Sequence, residues 1–120
     1  MRAPVATLPP ERSAREVAEE LTADELGAVL VEGPHGPMGV VSERDVVTLV
    51  GSGGDLEDTQ AADLMTPELI WIGAGESIAT AALRMQHTGV RHLPVRRSDG
   101  TVVGMVSVRD LLGILAGLGR

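Results

Sequence analysis

A serine, an arginine and an aspartate recur at one spacing in two places: Ser42, Arg44 and Asp45, then Ser107, Arg109 and Asp110. A hydroxyl three residues ahead of a carboxylate is the pattern of a helix start, in which the Ser side chain answers a free backbone N–H and the Asp reaches back to the cap. The same residues have the chemistry to hold a ligand. A carboxylate accepts hydroxyl donors with charge-assisted strength, a helix N-terminus favours an anion, and a guanidinium matches paired anionic oxygens. Capping is what the spacing alone favours, and the two roles are compatible, because an Asp can cap while a site is empty. A solvated or salt-bridged Arg44 and Arg109 fits the spacing equally well.

Other chemistries lack their residues. With no cysteine among 120 residues, thiolate catalysis, disulfides and Cys-ligated metal sites are excluded. His35, His87 and His92 are scattered and do not form the i, i+4 pair of a helical zinc site. No Ser sits in a nucleophile elbow, and Gly51-Ser52-Gly53-Gly54 lacks the Lys that completes a phosphate loop. No catalytic residue and no metal ligand is therefore expected. A net charge of −7 with Trp71 as the only aromatic speaks against a nucleic-acid partner. No apolar run approaches the roughly 18 residues of a membrane span, and the first residues do not read as a signal peptide. A soluble, cytoplasmic protein is the expectation. Charge is uneven: residues 1–62 hold twelve acidic residues against four Arg, whereas residues 63–120 hold five against six Arg. A small anion meets a friendlier second half.

The elements that must position these residues also come twice. Gly39-Val40-Val41-Ser42-Glu43-Arg44-Asp45 returns as Gly104-Met105-Val106-Ser107-Val108-Arg109-Asp110 at an offset of 65. Upstream, Ala14, Val17, Ala18 and Leu21 have helical spacing, repeated by Ile78, Ala81, Ala82 and Met85 at an offset of 64. Ser13 and Ser77 stand at matching N-caps, and Ser13 with Glu16 makes a capping box. Each repeat reads as a short strand (Val5 to Thr7; Leu69 to Ile72), a helix (Ser13 to Thr22; Ser77 to Thr88), a strand (Ala28 to Val31; His92 to Val95), a tight turn, a strand (Met38 to Val41; Val102 to Val106) and a final helix from Ser42 or Ser107. The change of offset falls between Val31 and Gly39, in a turn. A short helix is expected near Gln60 to Met65. The division is 1–50 for the first repeat, 51–62 for a polar linker and 63–120 for the second. The fold class is α/β, more narrowly α+β. Neither half is large enough to fold well alone, so the two are expected to pack about a pseudo-twofold axis with two clefts between them.

The doubled unit closing on Gly-apolar-Val-Ser-x-Arg-Asp resembles the CBS domain. Asp63-Leu64-Met65-Thr66-Pro67 is similar to that family's lead-in, and Gly89-Val90-Arg91-His92-Leu93-Pro94-Val95 to its second strand. The resemblance spans roughly residues 4–116 and implies a Bateman module. Such a module is regulatory and non-catalytic, and binds AMP, ADP, ATP or S-adenosylmethionine, with no resident cofactor. It pairs as a disc-shaped homodimer and acts on an effector protein that the sequence does not name. The resemblance also implies composite clefts. Cleft one takes Ser42, Arg44, Asp45, Thr66, Ile70, Val90, Arg91, His92 and Pro94. Cleft two takes Ala6, Leu26, Gly27, Ala28, Ser107, Arg109 and Asp110. In these roles the Asp accepts two ribose hydroxyls, and the Arg and His residues meet phosphate.

Cleft one then holds two Arg and one His, and is expected to prefer a phosphorylated ligand. Cleft two has one Arg beside Asp24 and Glu25, and lacks the Asp-x-Met-Thr lead-in, with Arg2 where Thr66 has its counterpart. Strand alternation is expected to turn Ile70 into the pocket and Trp71 into the core or a dimer face. The alternative from another class is a ligand-free dimerisation or protein-interaction module, in which the Ser and Asp residues only cap.

Overall fold

Local signals set where each element begins. Ser13 accepts the Glu16 N–H at 3.2 Å, and its own N–H donates to the Glu16 carboxylate at 3.3 Å, which starts α1 (Ala14–Ala23) at the expected capping box. Ser77 caps α4 (Ile78–Thr88) by accepting the Thr80 N–H, and Gly89 ends that helix in the left-handed region at φ 78°. In the computed structural model residues 6–23, 27–67 and 69–118 are described. Val5 and Leu26, with Arg2, Asp24 and Glu25, lie outside them.

The chain divides into two units, Ala6–Leu69 and one built on Ile70–Arg120. The first runs β1 (Thr7–Leu8), α1, β2 (Ala28–Gly33), β3 (Gly36–Ser42), α2 (Glu43–Gly51) and α3 (Ala61–Leu64). Its sheet order is β1-β2-β3, parallel then antiparallel. The second runs β4 (Ile72–Gly73), α4, β5 (His92–Arg96), β6 (Val102–Ser107) and α5 (Val108–Leu118), with the same pairing pattern in the order β4-β5-β6. The repeated β-α-β-β-α unit and the α+β class are thus as the sequence implies. Among the described residues no helix is long and apolar enough to cross a membrane.

The one-residue change of offset is a change of hairpin. Gly33 pairs with Gly36 around a two-residue turn, with Gly36 at φ 113°. In the second unit the Arg97 N–H donates to the Thr101 carbonyl at 2.9 Å, which closes a three-residue loop with Gly100 at φ 90°. Both hairpins carry an irregularity at the same place, after Val31 and after Val95.

Each unit has its own core. Val17 and Leu21 of α1 pack with Val29, Val31, Val41, Val46 and Ala61. Ala81 and Met85 of α4 pack with Ile72, Leu93, Val95 and Leu111. β2 reads as an unbroken apolar run because Ala28, Val29, Leu30 and Val31 are all buried.

Two local expectations are corrected. The strand expected from Leu69 to Ile72 is only Ile72–Gly73, set by parallel pairing to Val95 and Arg96. Without a strand at 69–71, alternation does not govern Ile70 and Trp71. Ile70 is half-buried against the second core, and Trp71 is half-buried at the surface.

The polar stretch after α2 is held by backbone bonds. Ala14 and Arg15 donate to Thr59 (2.7 Å) and Leu56 (3.1 Å), and Ala61 and Ala62 donate to Arg12 (2.7 Å) and Pro10 (3.0 Å). Asp55 Oδ1 accepts the N–H groups of Glu57 and Asp58, and Glu57 pairs with Arg15. The chain then reaches β3, where Thr66 and Val40 exchange N–H···O bonds of 2.9 and 3.2 Å. Gly39 is required by this approach, since a Cβ there would stand 2.6 Å from the Thr66 carbonyl oxygen. Gly39→Val is therefore expected to cost about 1–3 kcal/mol in urea denaturation.

A second device ties β4 to α4. Arg84 donates to both carboxylate oxygens of Glu76, at 3.0 and 3.1 Å, and to the Trp71 carbonyl at 2.7 Å. Arg84, and then the Gly73 N–H, hold the Glu76 carboxyl below its ordinary value of 4.5. A carboxyl lowered by folding stabilises the protein above the ordinary value, and that contribution is lost as pH falls through the folded value. Thermal midpoints are expected to fall below pH 4.5, and to fall less steeply in Glu76→Gln.

Candidate functional site

The two Ser-x-Arg-Asp segments are helix caps in this structure. Ser42 is extended at φ −99° and ψ 163°, and its Oγ accepts the Asp45 N–H at 3.2 Å. Both the Ser42 N–H (2.7 Å) and the Ser42 hydroxyl (3.0 Å) donate to Asp45 Oδ2. The second copy matches: the Ser107 N–H donates to Asp110 Oδ2 and the Asp110 N–H to Ser107 Oγ, each at 3.0 Å. Capping occupies only part of the first carboxylate, since Asp45 Oδ1 takes no hydrogen bond among the described residues. One oxygen fixes the helix start and the other remains an acceptor.

Each cap is flanked by the loop that enters its own unit's middle strand. Ala28 stands opposite Ser42, and the Glu43 N–H donates to the Gly27 carbonyl at 3.0 Å. His92 stands opposite Ser107, and the Val108 N–H donates to the Arg91 carbonyl at 2.9 Å. Cross-strand partners share a face of the sheet. The first cap thus lies beside Ala28, and the second beside His92. Arg44 and Arg91 are exposed, and among the described residues neither enters an ion pair. Arg109 is also exposed.

The remaining expected residues divide between the units. In the first, the Ala6 carbonyl accepts the Leu30 N–H at 3.0 Å, and Thr66 is bound to Val40, two residues ahead of Ser42. In the second, Ile70 and Val90 pack half-buried on the core, and Pro94 is fully buried. Leu26 lies outside the described residues. Among the described residues no group of three or more His, Asp and Glu stands together to hold a metal ion.

Sequence reasoning missed a second polar feature. The Arg96 guanidinium lies 4.6 Å from the centroid of the Trp71 ring, beside an open groove of about 740 Å³ that also takes in Glu76, Arg84 and Arg97. Trp71 is therefore half-buried beneath Arg96 and outside the core. Its partner is 25 positions away in the chain. The only advance signal was the Arg96-Arg97 pair placed directly before a turn.

Similarities to known proteins fit this architecture. The model of the CBS domain matches residues 1–52 and 61–117. An uncharacterised protein of Methanopyrus kandleri is 29% identical over 115 residues, covering 94% of this chain and 59% of that protein. An uncharacterised 17.7 kDa protein of Acidianus ambivalens is 31% identical over 103 residues, covering 85% of this chain and 62% of that protein. The chain thus spans about six-tenths of the length of these two relatives. A CBS domain protein from Pyrobaculum aerophilum complexed with AMP superposes with a TM-score of 0.82 at 30% identity, covering 98% of this chain and 95% of that one. With each repeat matched in turn, the chain belongs to the CBS domain family and carries two tandem copies of the domain.

Proposed function

We propose that this chain is a non-catalytic regulatory module that binds an adenosyl ligand, AMP being the first candidate. The observation that carries the reading is the doubled cap, with Asp45 Oδ1 left as an acceptor beside an exposed Arg44. The AMP complex of a relative at 30% identity supports the choice of ligand. Asp45 would accept ribose hydroxyls through Oδ1 while Oδ2 keeps the helix start in place. Ser42 and the first turn of α2 would face phosphate.

The two binding sets are those the family resemblance pairs. The stronger combines Ser42, Arg44, Asp45 and Thr66 with Ile70, Val90, Arg91, His92 and Pro94. The weaker combines Ser107, Arg109 and Asp110 with Ala6, Leu26, Gly27 and Ala28. The first set holds two guanidiniums and an imidazole, and the second one guanidinium, so a phosphorylated ligand would favour the first. Ligand binding can regulate only to the extent that it favours one packing over another.

A homodimer in the cytoplasm, acting on an effector protein, completes the proposal. Val47 and Val50 of α2 are 68% and 56% exposed, and Leu112 of α5 is 61% exposed. These apolar faces also favour a second reading, a dimerisation or protein-interaction module that takes no ligand. Thermal-shift measurements with AMP, ADP, ATP, S-adenosylmethionine and adenosine, each against GTP, separate the two. A ligand bound only by the folded state at 100 times its Kd adds about 2.7 kcal/mol, a shift of several degrees. A rise with an adenosyl compound and none with GTP is the expected outcome. No rise with any of them in a folded protein would leave the interaction module.

A further inference from the structure

We propose that the hairpin end of the second unit is a docking site for an acidic, turn-forming peptide segment of a partner protein. The site is built on Trp71, the β4–α4 loop and the β5–β6 hairpin, which together border the open groove of about 740 Å³. Arg96 and Arg97 are exposed there, and Arg84 is fixed by Glu76 and by the Trp71 carbonyl. Three guanidiniums against the Glu76 carboxylate, and Asp99 beside Arg97 on the hairpin, leave this end cationic in a chain of net charge −7. It lies at the far end of β5 from His92 and the Ser107 cap, a separation of about 13 Å along a strand.

The first unit serves as an internal control. At an offset of 64, Trp71, Glu76, Arg84 and Arg96 correspond to Thr7, Arg12, Glu20 and Glu32. The repeat therefore folds with the opposite charge at three of these positions and without the indole. The cationic groove is a property of the second unit alone and not a requirement of the architecture.

The same comparison shows what shape of occupant fits. In the first unit the matching end is covered by the acidic stretch from Asp55 to Ala62. That stretch accepts from the Ala14 and Arg15 N–H groups, donates to the Arg12 and Pro10 carbonyls, and sets Glu57 against Arg15. The equivalent atoms of the second unit are the Ile78 and Ala79 N–H groups and the Glu76 and Ala74 carbonyls. Among the described residues none of them has a hydrogen-bond partner. The Asp55 to Ala62 stretch is a turn, in which Thr59 donates to the Asp55 carbonyl at 3.1 Å, running into the start of α3. A peptide that takes the same turn would answer all four groups, and its carboxylates would meet Arg96 and Arg97.

The test uses a dye-labelled peptide with the sequence of residues 54–63 and a second peptide with its acidic residues changed to amides. Peptide anisotropy and the emission of Trp71, the sole aromatic, are followed together. The expected result is saturable binding of the acidic peptide that moves Trp71 emission, weakens with ionic strength, and persists with AMP present. Arg96→Glu, the charge that Glu32 carries in the first unit, is expected to weaken it about tenfold. Arg97→Gln gives a milder loss should Arg96→Glu fail to fold, as judged by circular dichroism. No binding, equal binding of the amide peptide, or unaltered affinity in both folded variants would overturn the proposal. So would binding that leaves Trp71 emission unchanged, or full displacement of the peptide by inorganic phosphate, which would mark a small-anion site.

Discussion

Asp45→Ala is expected to weaken AMP binding by roughly 10- to 150-fold, the equivalent of about 1.5–3 kcal/mol for hydrogen bonds to a charged acceptor. The cost to folding should be smaller, about 1 kcal/mol, because only a helix cap is lost. This separation follows from the division of labour within the carboxylate. Oδ2 is committed to the Ser42 N–H and hydroxyl, while Oδ1 has no partner among the described residues. Asp110→Ala is expected to affect AMP less, since its proposed set carries one guanidinium where the other carries two and an imidazole. Isothermal titration of both variants, with urea denaturation alongside, checks the pair of statements. Intact binding in Asp45→Ala would remove the ribose role. Equal losses in the two variants would remove the ranking of the sites.

Leu93→Ala is expected to destabilise the protein by about 2–5 kcal/mol in urea denaturation. Leu93 is fully buried at the centre of the second core, with Ile72, Ala81, Met85, Val95 and Leu111 around it. Removing it strips contacts from β4, α4 and α5 together, in a protein whose total stability is on the order of 5–15 kcal/mol. Val47→Ala is the contrasting change. That side chain is 68% exposed, and truncating it in a monomer should cost within about 0.5 kcal/mol. A loss at Val47 comparable with that at Leu93 would show that the α2 face is covered in solution, as the proposed homodimer requires.

The residues that fold by short-range rules were legible before the structure. Ser13, Ser42, Ser77 and Ser107 stand at helix starts because a hydroxyl three residues ahead of the N–H it answers is a local arrangement. The helical spacing of Ala14, Val17 and Leu21, and of Ala81 and Met85, is likewise contained in two turns of chain, and those residues are the buried ones. The repeat did the rest, since one unit read correctly places the other. The Ser-x-Arg-Asp segments were found for the same reason, being both caps and candidate ligand groups within four residues.

What depended on distant pairing was not legible. The stretch from Asp55 to Thr66 read as a polar linker and a short helix, with no sign that it is fastened to α1 and β3 through backbone N–H and C=O groups. Every non-proline residue carries those groups, so they leave no mark on residue type. Leu69 to Trp71 have strand-like character, but β4 exists only where Val95 and Arg96 pair with it. The stacking of Arg96 on Trp71 and the clamp of Arg84 on Glu76 join positions that no periodicity links. By itself the sequence determined the repeat, the order of its elements and the chemistry at its caps, because these rest on contacts a few residues apart. Only the tertiary structure decided which backbone groups meet across the unit, and so left one oxygen of Asp45 open and the hairpin end of the second unit uncovered among the described residues.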